Sequence, residues 1–308
     1  MVQLFEEITS EQRVKIMAGL GTTQIRVDED VAALKSWAKT QPHLPEIPSE
    51  KLILTFLKLS KWSTEKAKKK IDAFYTIWCR LPSLLHLETL NPTSQIQMTF
   101  ADINYIISLP KLTEDLHRVT VIKFTGQSEE VNHDLAFIWS LNVIVLRILE
   151  DVCVGEIRIF DLEFYAFKHF SKVTPSMIKM FVEIYKKVFT LRTEAIHLIN
   201  CPSTIDSMLK IIRSTSIINP KMMKNVFVHK TLDTLYGHVP KTILPRDYGG
   251  YERSLNELNG ILKMKMMEHK EYFDRLDTLK VNEDLRPEKL INDDFLGFYG
   301  TFKHLDID

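Results

Sequence analysis

The feature that most limits the possible folds of this 308-residue chain is a change of pattern near residue 97. Downstream of that point, short runs rich in β-branched and aromatic residues alternate with stretches of helical spacing. Strands are predicted at 105–109, 119–124, 156–160, 195–199 and 226–228, and helices at 129–152, 175–188 and 205–212. Strands that alternate with crossover helices predict an α/β fold with a mainly parallel sheet.

The residues before this change read as helical. Helices are predicted from a Ser10 cap to residue 20, from an Asp28 cap to residue 41, at 50–59, and from a Ser63 cap to residue 80. After residue 250 a charged helix at 254–279 precedes a tail with little periodicity. We therefore expect an N-terminal helical module at 1–92, an α/β domain at 93–252, and a C-terminal helix and tail at 253–308 that pack back on the fold.

Composition and spacing exclude several classes of function. With 40 basic and 40 acidic residues, the chain has no charge surplus to capture nucleic acid. The cysteines at 79, 153 and 201 are too far apart for a zinc pair and odd in number, which favours free thiols. The acidic N-terminus lacks a secretory signal, and the longest apolar segment is too short to span a bilayer. We expect a cytoplasmic protein, a monomer without nucleic-acid partners.

Motifs for catalysis and for metal or phosphate binding are missing from the sequence. There is no nucleophile elbow, Gly-rich phosphate loop, HExxH or EF-hand pattern. His197, in the middle of a predicted strand, is expected to be a hydrogen-bonded core residue. Asp161 and Glu163 fit a loop or a helix cap better than an acid/base pair. We therefore expect no enzyme activity, no catalytic residue, no metal and no cofactor.

Apolar surface is what the sequence offers instead. The helix at 205–212 is rich in isoleucine, with Met208 and Leu209, and the helix at 175–188 combines methionine, isoleucine and aromatic residues. Such stripes suit an ordinary core and a ligand cavity equally well, so periodicity alone leaves both readings open.

Four short segments carry a family resemblance. They are Phe-Asp-Leu-Glu at 160–163, Val-Thr-Pro-Ser at 173–176, Ile-His-Leu-Ile-Asn-Cys-Pro at 196–202 and Ile-Leu-Pro-Arg-Asp-Tyr-Gly-Gly at 243–250. In this order and spacing they resemble the CRAL-TRIO lipid-binding family, which includes tocopherol and retinaldehyde carriers. Phe-Leu-Lys at 56–58, with Ala67 and Lys70, is similar to the family's N-terminal helical module, and residues 300–308 to the end of its insect members.

The resemblance implies a lipid carrier with a hydrophobic pocket, floored by the sheet and covered by a mobile gate helix at 203–213. The ligand would be a retinoid, tocopherol, carotenoid or similar isoprenoid, exchanged when the gate opens at a membrane surface. The positions that match the family's pocket lining are Leu135, Ile138, Trp139, Asn142, Phe160, Tyr165, Phe167, Val173, Phe181, Ile184, Tyr185, Phe189, Thr193, Ile196, Met208, Ile211 and Ile212. The first four also share the stripe predicted from helical spacing.

Arg158 departs from the family pattern. Strand alternation places it on one face with Glu156 and Phe160, where related carriers are apolar. Either Arg158 meets a ligand carboxylate or hydroxyl while Glu156 holds it, or the two side chains pair at the solvated end of the strand.

The family's basic cleft for phosphoinositides is also altered. Arg192 and Lys221 match two of its positions, Glu194 and Asn225 replace two others, and its N-terminal arginine is replaced near Ser60. A carboxylate beside Arg192 weakens phosphate binding, although Lys224 is available to compensate. We expect weakened or altered phosphoinositide recognition. A phosphoinositide-reading signalling adaptor and a lipid esterase remain as alternative functions.

Overall fold

The computed structural model describes residues 3–19, 22, 24–126, 130–189, 193–214 and 223–287. Its helices are α1 (Ser10–Gly19), α2 (Gln24–Lys39), α3 (Glu50–Leu59), α4 (Thr64–Leu84), α5 (Gln95–Ile103), α6 (His133–Glu150), α7 (Phe167–Phe170), α8 (Pro175–Ile184), α9 (Ile205–Ser214), α10 (Leu232–Tyr236), α11 (Leu255–Glu268) and α12 (Lys270–Thr278). Its strands are β1 (Asn104–Leu112), β2 (His117–Phe124), β3 (Gly155–Asp161), β4 (Thr193–Ile199) and β5 (Val226–Val228).

The helices before residue 92 form where apolar spacing and caps predict them, with shifted ends. Ser63 caps α4 as expected, and its Oγ accepts a hydrogen bond from the Lys66 amide. Helix α2 begins at Gln24, not at Asp28, because buried Val27 extends the apolar stripe one turn upstream. The predicted Ser10 cap is wrong, since Thr9 Oγ1 accepts from the Gln12 amide.

The described strands form one five-stranded sheet in the order β1-β2-β3-β4-β5. β1 and β2 are antiparallel, and every later pairing is parallel, which confirms the expected mainly parallel α/β sheet. The register aligns one row of side chains across the whole sheet. That row consists of Ser108, Thr120, Arg158, Ile196 and Val226.

Helix α8 continues into a π-helical turn, Tyr185–Phe189, that joins the sheet domain to the N-terminal helices. Buried Lys70 of α4 donates hydrogen bonds of 3.3–3.4 Å to the carbonyl oxygens of residues 186–188. Burial lowers the pKa of Lys70 to about 8. Through these three hydrogen bonds Lys70 ties the π turn to α4.

The predicted C-terminal helix is broken in two at His269, whose Nε2 lies 2.7 Å from Glu150 Oε1 of α6. A capping box between Ser254 and Glu257 begins α11, which contacts β1 and α5. Among the described residues, no helix has both the length and the apolar character required to cross a membrane.

Candidate ligand cavity

A cavity of about 470 Å³ lies between one face of the sheet and helices α6, α8 and α9. This volume is in the range of small-molecule sites. Strand alternation explains its floor, because every second residue of β1 to β5 faces the same side. The floor residues are Asn104, Ile106, Ser108, Thr120, Ile122, Phe124, Glu156, Arg158, Phe160, Ile196, Leu198 and Val226.

Helix α6 supplies a wall of the cavity through one helical stripe. Its members follow the i, i+3, i+4, i+7 spacing of a single face, and they are His133, Ala136, Phe137, Ser140, Val143, Ile144 and Arg147. Phe137 stacks on Phe181 of α8 with ring centroids 3.9 Å apart. The hydroxyl groups of Ser140 and Tyr185 lie 2.5 Å apart and join α6 to the π turn.

The predicted α6 stripe of Leu135, Ile138, Trp139 and Asn142 does not line this cavity. These side chains are buried on another face of the helix, where Asn142 Nδ2 donates a 2.7 Å hydrogen bond to Leu90 O. Because α6 is apolar on several faces, its sequence contains more than one plausible stripe. The overlooked signal was the neighbouring stripe, which carries Ser140 and Arg147 among apolar residues.

Helix α9 closes another side of the cavity at the position predicted for the gate. Its apolar residues Ile205, Met208, Leu209 and Ile212 line the cavity, while Asp206, Lys210 and Arg213 are exposed. This arrangement is that of an amphipathic helix laid over an apolar space.

The other predicted ligand residues divide into two groups. The structure brings nine of the eighteen to the cavity wall: Arg158, Phe160, Tyr165, Val173, Phe181, Tyr185, Ile196, Met208 and Ile212. Ile184 and Phe189 are buried elsewhere, with the Phe189 ring 6.1 Å from that of Phe74 in α4, and Thr193 lies off the wall at the start of β4. The side chains of Phe167 and Ile211 lie outside the described part.

One end of the cavity is charged, because Glu156 and Arg158 both line it. Arg158 Nε donates a 3.0 Å hydrogen bond to Glu156 Oε2, and Arg147 Nη1 donates one of 2.6 Å to Glu156 Oε1. Thr120 Oγ1 also donates to Glu156, at 2.7 Å. Burial acts to raise the pKa of Glu156, but Arg158 and Arg147 outweigh it and lower that pKa below its usual value.

The pair therefore combines features of both expectations for Arg158. Glu156 and Arg158 do form an ion pair, but they form it within the cavity wall and not at a solvated strand end. Burial opposes the charge on Arg158, and the nearby Glu156 carboxylate restores it, so that its pKa is raised. The Arg158 guanidinium also lies 5.5 Å from the centroid of the Tyr185 ring.

Asp161, near the other end of β3, is held by three side chains. Its oxygens accept hydrogen bonds from Lys123 Nζ at 2.7 Å, Asn200 Nδ2 at 2.9 Å and Tyr248 Oη at 2.8 Å. Oδ1 also accepts from the Glu163 amide, at 3.1 Å. Asp161 thus fixes the loop after β3, as the sequence predicted.

The positions expected to contact phosphoinositides are only partly described. Arg192 and Lys221 lie outside the described residues, and Lys224 is exposed. Its neighbour Asn225 donates a 2.8 Å hydrogen bond from Nδ2 to Glu194 O.

His197 is buried, and its Nδ1 lies 2.8 Å from Nε2 of His229, which confirms the expected core histidine. In the described ranges, no cluster of His, Cys, Asp and Glu has the geometry to hold a metal ion.

Comparison with known proteins identifies two regions. Residues 23–90 match the family described as Pinta-like, UBA domain, and residues 104–250 match the CRAL/TRIO domain. The second region contains the described sheet and every residue that lines the cavity.

Curated relatives match part of the chain. Human and rat clavesin-2 are each 33% identical over 97 residues, which is 31% of this chain and 29% of the relative. Mouse clavesin-1 is 31% identical over 97 residues, covering 31% of this chain and 27% of its own. The match thus spans less than a third of these relatives. The match to the crystal structure of Sfh5 covers 85% of this chain and 100% of that chain, at 12% identity and a TM-score of 0.46.

Proposed function

We propose that this chain, which belongs to the CRAL-TRIO lipid-binding family, carries one hydrophobic small molecule in the cavity beneath α9 and exchanges it at membranes. The observation that carries the proposal is the cavity itself. Its volume of about 470 Å³ suits a small lipid, and most of its wall is apolar, with charged side chains at Glu156, Arg158 and Asp161. We propose no catalytic step, because hydrogen bonds already engage the polar groups at Asp161 and Glu156.

The ligand class that we propose is an isoprenoid such as a retinoid, tocopherol or carotenoid. Aromatic side chains from α6, α8 and the sheet support this choice, since ring faces pack well against polyene and chromanol groups. Phe137 and Phe181 both line the cavity and stack on each other in nearly parallel planes.

We propose that α9 is the gate. Its apolar stripe is buried over the cavity when closed, and the same stripe would be buried in lipid when the helix opens at a membrane. The ligand would then leave without exposing either surface to water. We propose that the protein is a cytoplasmic monomer that associates transiently with membranes. Its weakened phosphoinositide binding would allow it to leave membranes of varied composition.

A vesicle transfer assay with a blocked cavity tests the carrier function. Ala136 lines the cavity, so Ala136→Phe fills part of the space that a ligand needs; Ala166→Phe adds the same ring at an exposed position. We expect the wild-type protein and Ala166→Phe to speed transfer of a fluorescent retinoid between vesicles, and Ala136→Phe to lose most of this effect. Equal transfer by all three proteins, or none by the wild type, would contradict the proposal.

A further inference from the structure

A continuous chain of buried charges runs from β2 to the cavity wall. Arg118 pairs with Asp151 at 2.6 Å, Asp151 with Arg147 at 3.1 Å, and Arg147 with Glu156 at 2.6 Å. Glu156 then pairs with Arg158 at 3.0 Å. Three guanidinium groups share two carboxylates, so this buried group of five charged side chains has a net charge of one positive unit.

The surplus is located at the cavity end of the chain. Arg118 is fully buried and fully engaged, because it also donates two 2.7 Å hydrogen bonds to the carbonyl oxygens of Leu109 and Pro110. Arg147 bridges both carboxylates. Arg158 uses only Nε, since its terminal nitrogens have no hydrogen bond to any part of the chain that the structure describes.

These terminal nitrogens are accessible from the cavity. The Arg158 side chain retains 23% of its exposure while it lines the cavity, whereas the Glu156 side chain beside it retains 4%. A buried guanidinium with unused donors is costly unless an acceptor completes it. A planar carboxylate matches the fork of terminal N–H groups that arginine presents.

The structure therefore assigns a head-group subsite, and we propose that the ligand is an amphiphilic monoanion whose carboxylate binds Arg158. This inference rests on the proposed carrier function and, among the hydrophobic ligands proposed above, selects an acid over a neutral tocopherol or carotenoid. One negative charge would balance the chain from Arg118 to Arg158, and the hydroxyl pair of Ser140 and Tyr185 lies beside the same wall.

The cavity also fixes the direction in which such a ligand lies. At the Asp161 end, the wall carries the negative charge of Asp161, which is already paired with Lys123. A ligand carboxylate is therefore disfavoured at that end. The apolar side chains Phe160, Val173 and Met208 are left to receive the hydrocarbon chain. The head group is therefore oriented toward the N-terminal end of β3.

A competition experiment with matched lipids tests the subsite. Delipidated protein is loaded with Nile red, a neutral probe, and titrated with oleic acid, oleyl alcohol or methyl oleate, which share one hydrocarbon chain. We expect the acid to displace the probe at least about tenfold more strongly than the alcohol or the ester, as a hydrogen bond to a charged group implies. Arg158→Met should remove this preference, chiefly through weaker displacement by the acid, whereas Arg158→Lys should retain part of it.

Arg275→Met, which removes an exposed arginine outside the cavity, is the control and should keep the full preference. If alcohol and ester displace the probe as well as the acid does, or if Arg158→Met keeps the preference, the head-group inference fails and the carrier function stands. If neither the probe nor any competitor binds the wild-type protein, both fail.

Discussion

Tyr248 Oη donates a 2.8 Å hydrogen bond to Asp161 Oδ2, and this contact joins the turn after α10 to the end of β3. The turn is tightly constrained: Gly249 has a φ of 67°, and a Cβ on Gly250 would lie 1.9 Å from Leu244 O. Burial, together with the Asp161 carboxylate, raises the pKa of Tyr248, so the phenol keeps its proton. The family motif at 243–250 therefore supports the cavity from outside.

Loss of this hydrogen bond should destabilise the protein. We expect Tyr248→Phe to lower the free energy of unfolding by about 1–3 kcal/mol, because the bond reaches a buried carboxylate. Urea denaturation measures the change. Tyr251→Phe is the control, since Tyr251 is exposed, and the two variants should differ clearly. Equal stability of the two would show that the Tyr248 contact contributes nothing.

The buried charge chain should depend strongly on Glu156, which compensates two arginines. We expect Glu156→Gln to lower the free energy of unfolding by about 3–5 kcal/mol, because two buried guanidinium groups lose their shared partner. Adding Arg158→Met should recover part of the loss, since it removes the surplus charge. The exposed Glu65→Gln is the control. A double variant less stable than Glu156→Gln would contradict this charge balance.

His197 should make the fold sensitive to acid. Burial, with added repulsion from His229 and His238, lowers its pKa from 6.5 to about 4. The unfolded chain therefore binds a proton below pH 6.5 that the folded protein refuses until about pH 4, and stability is lost across this interval as pH falls. The loss should reach at most about 3 kcal/mol.

Urea unfolding at several pH values tests this effect of His197. His197→Gln should flatten the decline between pH 6.5 and 4, whereas His86→Asn, at an exposed position, should leave it unchanged. A decline of the same slope in His197→Gln would assign the acid sensitivity to other groups.

Removal of the ligand should loosen α9 more than the rest of the fold, if α9 is the gate. Without a ligand its apolar stripe faces an empty cavity, so fewer contacts hold the helix closed. We expect amides at 205–214 to exchange hydrogen faster in delipidated protein than in protein loaded with a lipid. Amides of α4 serve as the internal reference. Equal exchange of α9 in both states would count against a gate.

The sequence predicted the sheet well because its strands are short, β-branched runs, and clear helices separate the consecutive strands from β2 onward. The period of two also placed Glu156, Arg158 and Phe160 correctly on one face. For the cavity, the sequence predicted the wrong face of helix α6. Both its faces are buried, so hydrophobic spacing could not tell the stripe at Leu135 and Ile138 from the one at Phe137 and Ser140.

Side-chain partners that are distant along the chain could not be predicted from the sequence either. The ion pairs of Arg118 with Asp151 and of Arg147 with Glu156 depend on the crossover that returns α6 to β3, and no local pattern marks them. The same holds for Lys70, whose acceptors are more than a hundred residues away in a π turn. Local spacing predicts elements, but which faces meet depends on tertiary packing.

The central claim is that the cavity holds one hydrophobic molecule, and native mass spectrometry of the purified protein, followed by organic extraction, tests it most directly. The account predicts a single lipid bound in one-to-one stoichiometry, and its absence from Ala136→Phe. An empty wild-type protein that also takes up no added retinoid or fatty acid would contradict it.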